Sequence, residues 1–186
     1  PGYPVRVPVV DIVEIGAGGG SIAWFDEGGA LRVGPISAGA DPGPAAYGRG
    51  GTQPTVTDAM LITGVLAAGT FLGGRLTLDI ALAREAYRPI AGRLGVTIEE
   101  AAAGVIRLVD EYTIDALKLV SVRRGYDPRD FTLVAFGGGG PMHAAALAGE
   151  LGVKEVVVEE ASATTLVLGG QRLSVDEHGN LRITAR

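Results

Sequence analysis

The sequence predicts an α/β domain: a three-strand meander, then helices and a βαβ unit, closed by a C-terminal hairpin. Three observations carry this. Short β-branched runs alternate with glycine clusters near the start. Apolar residues recur at three- and four-residue spacing through a long middle stretch. Beyond it, an apolar strand runs straight into four glycines and a proline, and proline is tolerated at the first helical position.

The elements follow in order. Residues 7–16 (VPVVDIVEIG) read as a strand that stops at a glycine cluster. Residues 21–26 (SIAWFD) are a second strand, and Glu27-Gly28-Gly29 turns the chain into a third over 30–36. Residues 37–55 hold too many Gly and Pro for a helix or a central strand. A loop of this length between firm elements, and not rich in charge, is expected to be ordered and functional. A short helix is expected over 56–66, with Thr57 or Asp58 near its start, and another over 79–94 ending at Gly95. Thr97 and Glu100 form the capping-box pattern that opens the longest helix, 98–123. Its apolar face comprises Ala101, Val105, Leu108, Val109, Tyr112, Ala116, Leu119 and Val120. Strand 131–136, helix 141–151 and strand 155–158 make the βαβ unit, and residues 171–183 a final hairpin around Glu177-His178-Gly179-Asn180.

The bulk numbers narrow the function. The 186 residues, 47% hydrophobic and 20% charged, suffice for one good core with a small appendage. A net charge of −5 without a basic cluster argues against nucleic acid as a partner. With no cysteine there is no disulfide framework and no zinc–thiolate site, which fits a reducing, cytoplasmic setting. No apolar run approaches a membrane span, and no signal peptide precedes the first strand. The chain opens on Pro1, which points to a piece of a longer protein. Thirty glycines, against an average of roughly 7%, point to tight turns and close backbone approach to a ligand.

Two glycine clusters are the candidate binding elements. In Gly16-Ala17-Gly18-Gly19-Gly20-Ser21, successive glycines let backbone N–H groups converge on an anion. A strand follows and no Lys-Ser/Thr does, so this is neither a dinucleotide fingerprint nor a Walker loop. Asp11 and Glu14 precede it on opposite strand faces, so at most one serves the loop. In Gly137-Gly138-Gly139-Gly140, glycines at a strand end admit a ligand to the backbone and to the amides of the next helix. His143 is read as a polar residue at the pocket mouth and His178 as a solvated turn residue. Ser21 and Ser37 have no His–Asp partner pattern nearby, which disfavours a hydrolase triad. Asp41 and Asp58 are turn or N-cap residues by their setting; their alternative is the shell of a magnesium ion that accompanies nucleotide phosphates.

Together the strings DIVEIGAGGGSIAWFD, LRVGPISAGADPGPAAYGRGG, PTVTDA, FLGGRL and VSVRRGYDPRDFTLVAFGGGGPMHA resemble the hydantoinase A/oxoprolinase family, in order from about Asp11 to Val158. The resemblance implies an RNase-H-like lobe of the actin/hexokinase/Hsp70 type of ATPase, with ATP and Mg2+ held in a cleft between two lobes. Residues 1–158 would be that lobe and 159–186 a divergent hairpin segment. Gly18, Gly19, Gly20 and Ser21 then contact phosphate, Gly138, Gly139 and Gly140 lie along the nucleoside, and Asp58 and Asp41 are candidates for catalysis, Asp58 also for magnesium through bound water. Three departures stand out. The first lobe is missing from this sequence; Ala46 and Met60 stand where the family commonly has Cys and Asn; and the tail after Glu159 does not follow the family's Pro-rich continuation. Stabilising a transferring phosphoryl group needs donors from both cleft walls, so the chain alone is expected to be inactive. The implied activity is ATP-driven opening of a cyclic amide. The alternatives are an acetone or acetophenone carboxylase-type subunit, or a non-catalytic lobe that docks a partner. Expected partners are a nucleotide, the missing N-terminal lobe or a B-type subunit, and a second copy of the chain through exposed cleft surfaces.

Overall fold

The computed structural model describes residues 12–69, 71–159 and 164–185. Strands β1 (Ser21–Phe25) and β2 (Leu31–Ser37) form an antiparallel hairpin. Asp26 closes its turn: its carboxylate accepts from the Ala30 N–H at 2.9 Å and from Arg32 Nε at 2.8 Å. No third strand joins them among the described residues of the expected strand over 7–16. Its residues 7–11 lie outside the described residues and 12–16 carry no strand, so the three-strand meander is corrected to a two-stranded hairpin. Gly16, at φ 61°, takes the chain out of extended geometry just before the glycine turn. The other edge of β1 meets the end of the long loop instead, where the Ala23 N–H donates to the Pro54 carbonyl at 2.8 Å.

Helix α1 (Val56–Ile62) stops four residues short of the expected end. Gly64, at φ +78°, turns the chain so that the Leu66 N–H returns to the Met60 carbonyl at 3.0 Å and Leu66 stays in the core. Helix α2 (Ile80–Leu94) starts on Asp79, whose side chain accepts from the Ala81 and Leu82 N–H groups, and ends on Gly95 in the left-handed region. Its Pro89 sits on the exposed face, away from the core. Gly92, also exposed, has no atom within 4 Å of where a Cβ would stand. Gly92→Ala is therefore expected to raise the stability by about 0.5–1 kcal/mol, read as a higher urea midpoint, because it restricts only the unfolded chain.

Helix α3 (Ile98–Val120) opens on the predicted capping box, with both reciprocal hydrogen bonds present. Ala101, Val105 and Val109 are buried as expected, whereas Leu119 is 38% exposed. Leu117 and Val120 turn instead toward an apolar groove that Phe131 and Leu133 share. Three- and four-residue steps do not sum to whole turns, so the buried stripe drifts around a helix of this length. A short 3-10 turn, Val122–Arg124, and Gly125 end it.

Strand β3 (Leu133–Phe136), helix α4 (Gly140–Leu151) and strand β4 (Glu155–Glu159) are the expected βαβ unit, with β3 and β4 parallel. The hairpin of β5 (Gln171–Val175) and β6 (Leu181–Ala185) adds to the same sheet, in the order β3-β4-β6-β5, with Val156 opposite Ile183. One core gathers α1, α2, the first half of α3 and the β1–β2 hairpin; a second lies under the sheet around Ala144, Ala148, Val156, Val158 and Ile183. Helix α4 serves both, since its Met142 packs in the first core. No helix of the described residues is long and apolar enough to cross a membrane.

Candidate functional site

The first glycine cluster is a turn tied down on several sides. The Ser21 N–H donates to the Gly18 carbonyl and the Gly18 N–H to Ser21 Oγ, both at 2.9 Å. The Gly20 carbonyl accepts from the Ala38 N–H at 2.9 Å. The Gly19 carbonyl takes two donors from the start of α1, the Thr57 N–H at 2.8 Å and Thr57 Oγ1 at 2.9 Å. The position of the turn therefore depends on α1.

Helix α1 depends in turn on Asp58. Thr55 and Asp58 form a second capping box: the Thr55 hydroxyl accepts from the Asp58 N–H while the Asp58 carboxylate accepts from the Thr55 N–H at 2.9 Å. That carboxylate also accepts from Thr55 Oγ1 at 2.7 Å and from two amides of the long loop, Ala46 at 2.8 Å and Ala45 at 3.3 Å. Asp58 has no exposed surface. Burial pushes its carboxyl up, while the surrounding donors pull it down. Tyr87, equally buried, donates its hydroxyl to the Thr55 carbonyl at 2.9 Å, and burial raises that phenol well above its usual range. The 37–55 loop is thus ordered by a buried acid at the head of the next helix.

The second glycine cluster joins β3 to α4. Gly137 takes φ +76°, and no atom lies within 4 Å of a Cβ built at Gly138, Gly139 or Gly140. The fold brings the two clusters together. Gly18 and Gly19 on one side and Gly139 and Gly140 on the other line a single pocket of about 320 Å³. Gly20 and Ser21 line, with Gly18, an adjoining shallow cleft of about 470 Å³ that also receives the exposed Glu14. Gly138 lines neither. Ser21 is buried, and its hydroxyl already accepts inside the turn.

His143 lines the pocket from the first turns of α4, and its Nδ1 lies 2.6 Å from Asp110 Oδ1 on α3. Asp110 escaped the sequence reading, because 33 residues separate the pair and no local pattern links them. Asp41 is exposed on the long loop and forms no part of the pocket wall. Asp58 is spent on loop and helix, so the magnesium role expected of it gains no support from its surroundings. Among the described residues no three His, Cys, Asp or Glu side chains gather as a metal site would require. His178 is exposed in the β5–β6 turn, and Asp11 lies outside the described residues.

Two glycine turns from distant segments close on one pocket of a mixed α/β domain, beside a histidine–aspartate pair, and the pocket walls are mostly backbone and apolar side chains. The chain belongs to the hydantoinase/oxoprolinase family, whose model matches residues 1–173. It is 49% identical over 173 residues to the caprolactamase subunit alpha of Pseudomonas jessenii, covering 92% of this chain and 25% of that protein. It is 43% identical over 175 residues to the acetophenone carboxylase gamma subunit of Aromatoleum aromaticum, covering 93% and 24%. The crystal structure of the ATP-dependent caprolactamase from Pseudomonas jessenii superposes with a TM-score of 0.72 at 52% identity, over 77% of this chain and 21% of that one. The chain thus spans about a quarter of the length of these curated relatives.

Proposed function

We propose that this chain is the nucleotide-holding part of an ATP-dependent enzyme of the hydantoinase/oxoprolinase type. The observation that carries this is the convergence of both glycine clusters on one pocket. Gly18, Gly139 and Gly140, each without a neighbour at the Cβ position, leave a cradle into which a nucleotide fits against the main chain. The Gly18–Gly19 turn is the phosphate side and the Gly139–Gly140 turn, at the head of α4, the nucleoside side. An RNase-H-like lobe of an actin-type ATPase accounts for a pocket with one wall here and the facing wall on the rest of a longer protein or on a B-type subunit. In the whole enzyme ATP supplies activation of a carbonyl oxygen, which makes opening of a cyclic amide downhill. What these residues do is bind and orient the nucleotide and exclude water from it. For magnesium the described residues offer little: no carboxylate lines this pocket, Glu14 stands in the adjoining cleft, and no three acidic or imidazole side chains gather among the described residues.

The test is thermal unfolding with and without millimolar ATP. A ligand bound only by the folded chain stabilises it, by about 2.7 kcal/mol at a hundred times its dissociation constant. Gly140→Ala is the right probe, because Gly140 lines the pocket yet a Cβ there meets nothing within 4 Å. Its unliganded stability should hold or rise slightly, since alanine suits the first helical position better than glycine, while the ATP shift shrinks or disappears. Gly19→Val would be ambiguous, since a Cβ there stands 2.9 Å from Thr57 Oγ1 and strains the fold itself. A wild-type chain that ATP leaves unshifted would sink the proposal for this chain alone.

A further inference from the structure

We propose that His143 is the side chain that reads the nucleoside in this pocket, with Asp110 as its positioning residue; this rests on the nucleotide reading above. The wall offers few polar side chains. Thr57 gives its hydroxyl proton to the Gly19 carbonyl at 2.9 Å, and Thr113 gives its own to the Val109 carbonyl at 2.8 Å. His143 is the third, and it is committed through Nδ1 only. No buried side-chain nitrogen or oxygen among the described residues lacks a partner, so Nε2, which has none there, keeps exposed surface on a ring that lines the pocket.

The tether decides what Nε2 can do. An ionised carboxylate only accepts hydrogen bonds, so Asp110 at 2.6 Å places the ring proton on Nδ1. In the uncharged form of the ring, that tautomer presents the Nε2 lone pair as an acceptor. A matching ligand must bring a donor. The phosphates of a nucleotide offer acceptors alone, whereas its sugar brings hydroxyls and its base an exocyclic amine. His143 therefore pairs with the nucleoside end. This orients the ligand with its sugar and base toward α4 and its phosphates toward the Gly18–Gly19 turn.

Two measurements test this. The chain has two histidines, and exposed His178 is an internal reference. In 15N-histidine spectra at a pH where both rings are neutral, His143 is expected in the Nδ1–H form, with Asp110→Asn releasing it. Its Nε2 resonance should move on adding ATP while that of His178 stays. The second measurement compares binding of ATP with 2′-deoxy-ATP, 3′-deoxy-ATP and the purine riboside triphosphate that lacks the exocyclic amine. One of the three analogues is expected to bind roughly three- to tenfold more weakly, which identifies the donor as hydroxyl or amine. That factor should vanish in His143→Phe and persist in His143→Gln, which keeps an acceptor near the Nε2 position. An Nε2–H tautomer in the wild type, a silent His143 at ATP concentrations that raise the unfolding temperature, or equal binding of all analogues overturns the proposal while leaving nucleotide binding intact. Absence of any ATP binding overturns both.

Discussion

Replacing Asp58 by alanine is expected to lower the stability by about 4 kcal/mol, read as a fall in the urea midpoint at unchanged slope. Its carboxylate takes hydrogen bonds from the amides of Ala45, Ala46 and Thr55 and from the Thr55 hydroxyl. Thr55 and Asp58 are fully buried, and so, nearly, are Ala45 and Ala46. Alanine would strand four donors at once, and each buried orphan costs about 1–3 kcal/mol before relaxation. Some would recover partners by admitting water, so the sum is not reached. Asp58→Asn is the sharper comparison, since it keeps the volume but turns an NH2 group toward donors. An asparagine variant as stable as the wild type would refute the account, because volume alone would then explain the site. The ATP shift should fall with the stability: Asp58 starts α1, and α1 holds the Gly19 carbonyl through Thr57.

Much of this fold could be read from local chemistry. The Thr97–Glu100 box, the turn through Glu27-Gly28-Gly29 and the glycine ending α2 each act within a few residues and stand where the sequence placed them. Helix α3, by contrast, stops at Val120, short of the expected residue 123, and Gly125 caps the 3-10 turn that follows. The larger failures are non-local. Residues 12–16 of the expected first strand have suitable composition, but pairing needs an edge, and the free edge of β1 is met by residues 54–55. The last hairpin was legible as a hairpin; its addition to β4 rests on a register between residues far apart in sequence. For Asp58 the sequence left two roles open, cap or ion shell. The cap is local, but the bonds to Ala45 and Ala46 reach back across the loop and show only in the folded chain. The pocket follows the same rule. Each glycine cluster was a visible candidate by itself, whereas their meeting, and the Asp110 tether on His143, depend on how α3 and α4 pack. Periodicity tells which face of a helix seeks a core and is silent about which helix will cover it.

The second large effect falls on Gly51, where alanine is expected to cost about 3 kcal/mol. The 37–55 loop doubles back on itself there. A Cβ on Gly51 would stand 2.2 Å from the Gly43 carbonyl oxygen and 3.3 Å from the carbonyl carbons of Gly43 and Pro44. No side chain can swing aside, since the obstacle is main chain, so two strands of the loop must part. The segment displaced leads directly into Ala45 and Ala46, whose amides serve Asp58 and whose Ala46 carbonyl accepts from the Asp79 N–H at 2.8 Å. Gly51→Ala and Asp58→Ala therefore attack one structure from two sides. Their double variant should fall short of the summed losses by about 1 kcal/mol or more, because a loop already released has less left to lose. Strict additivity would mean that the crossing at Gly51 and the latch at Asp58 are independent, and that the loop does not act as a unit. Gly92→Ala, in open space on α2, belongs in the same series as the substitution of opposite sign. Neither Gly51 nor Asp58 lines the pocket, so a reduced ATP shift in both variants would trace the dependence from loop to α1 to glycine turn.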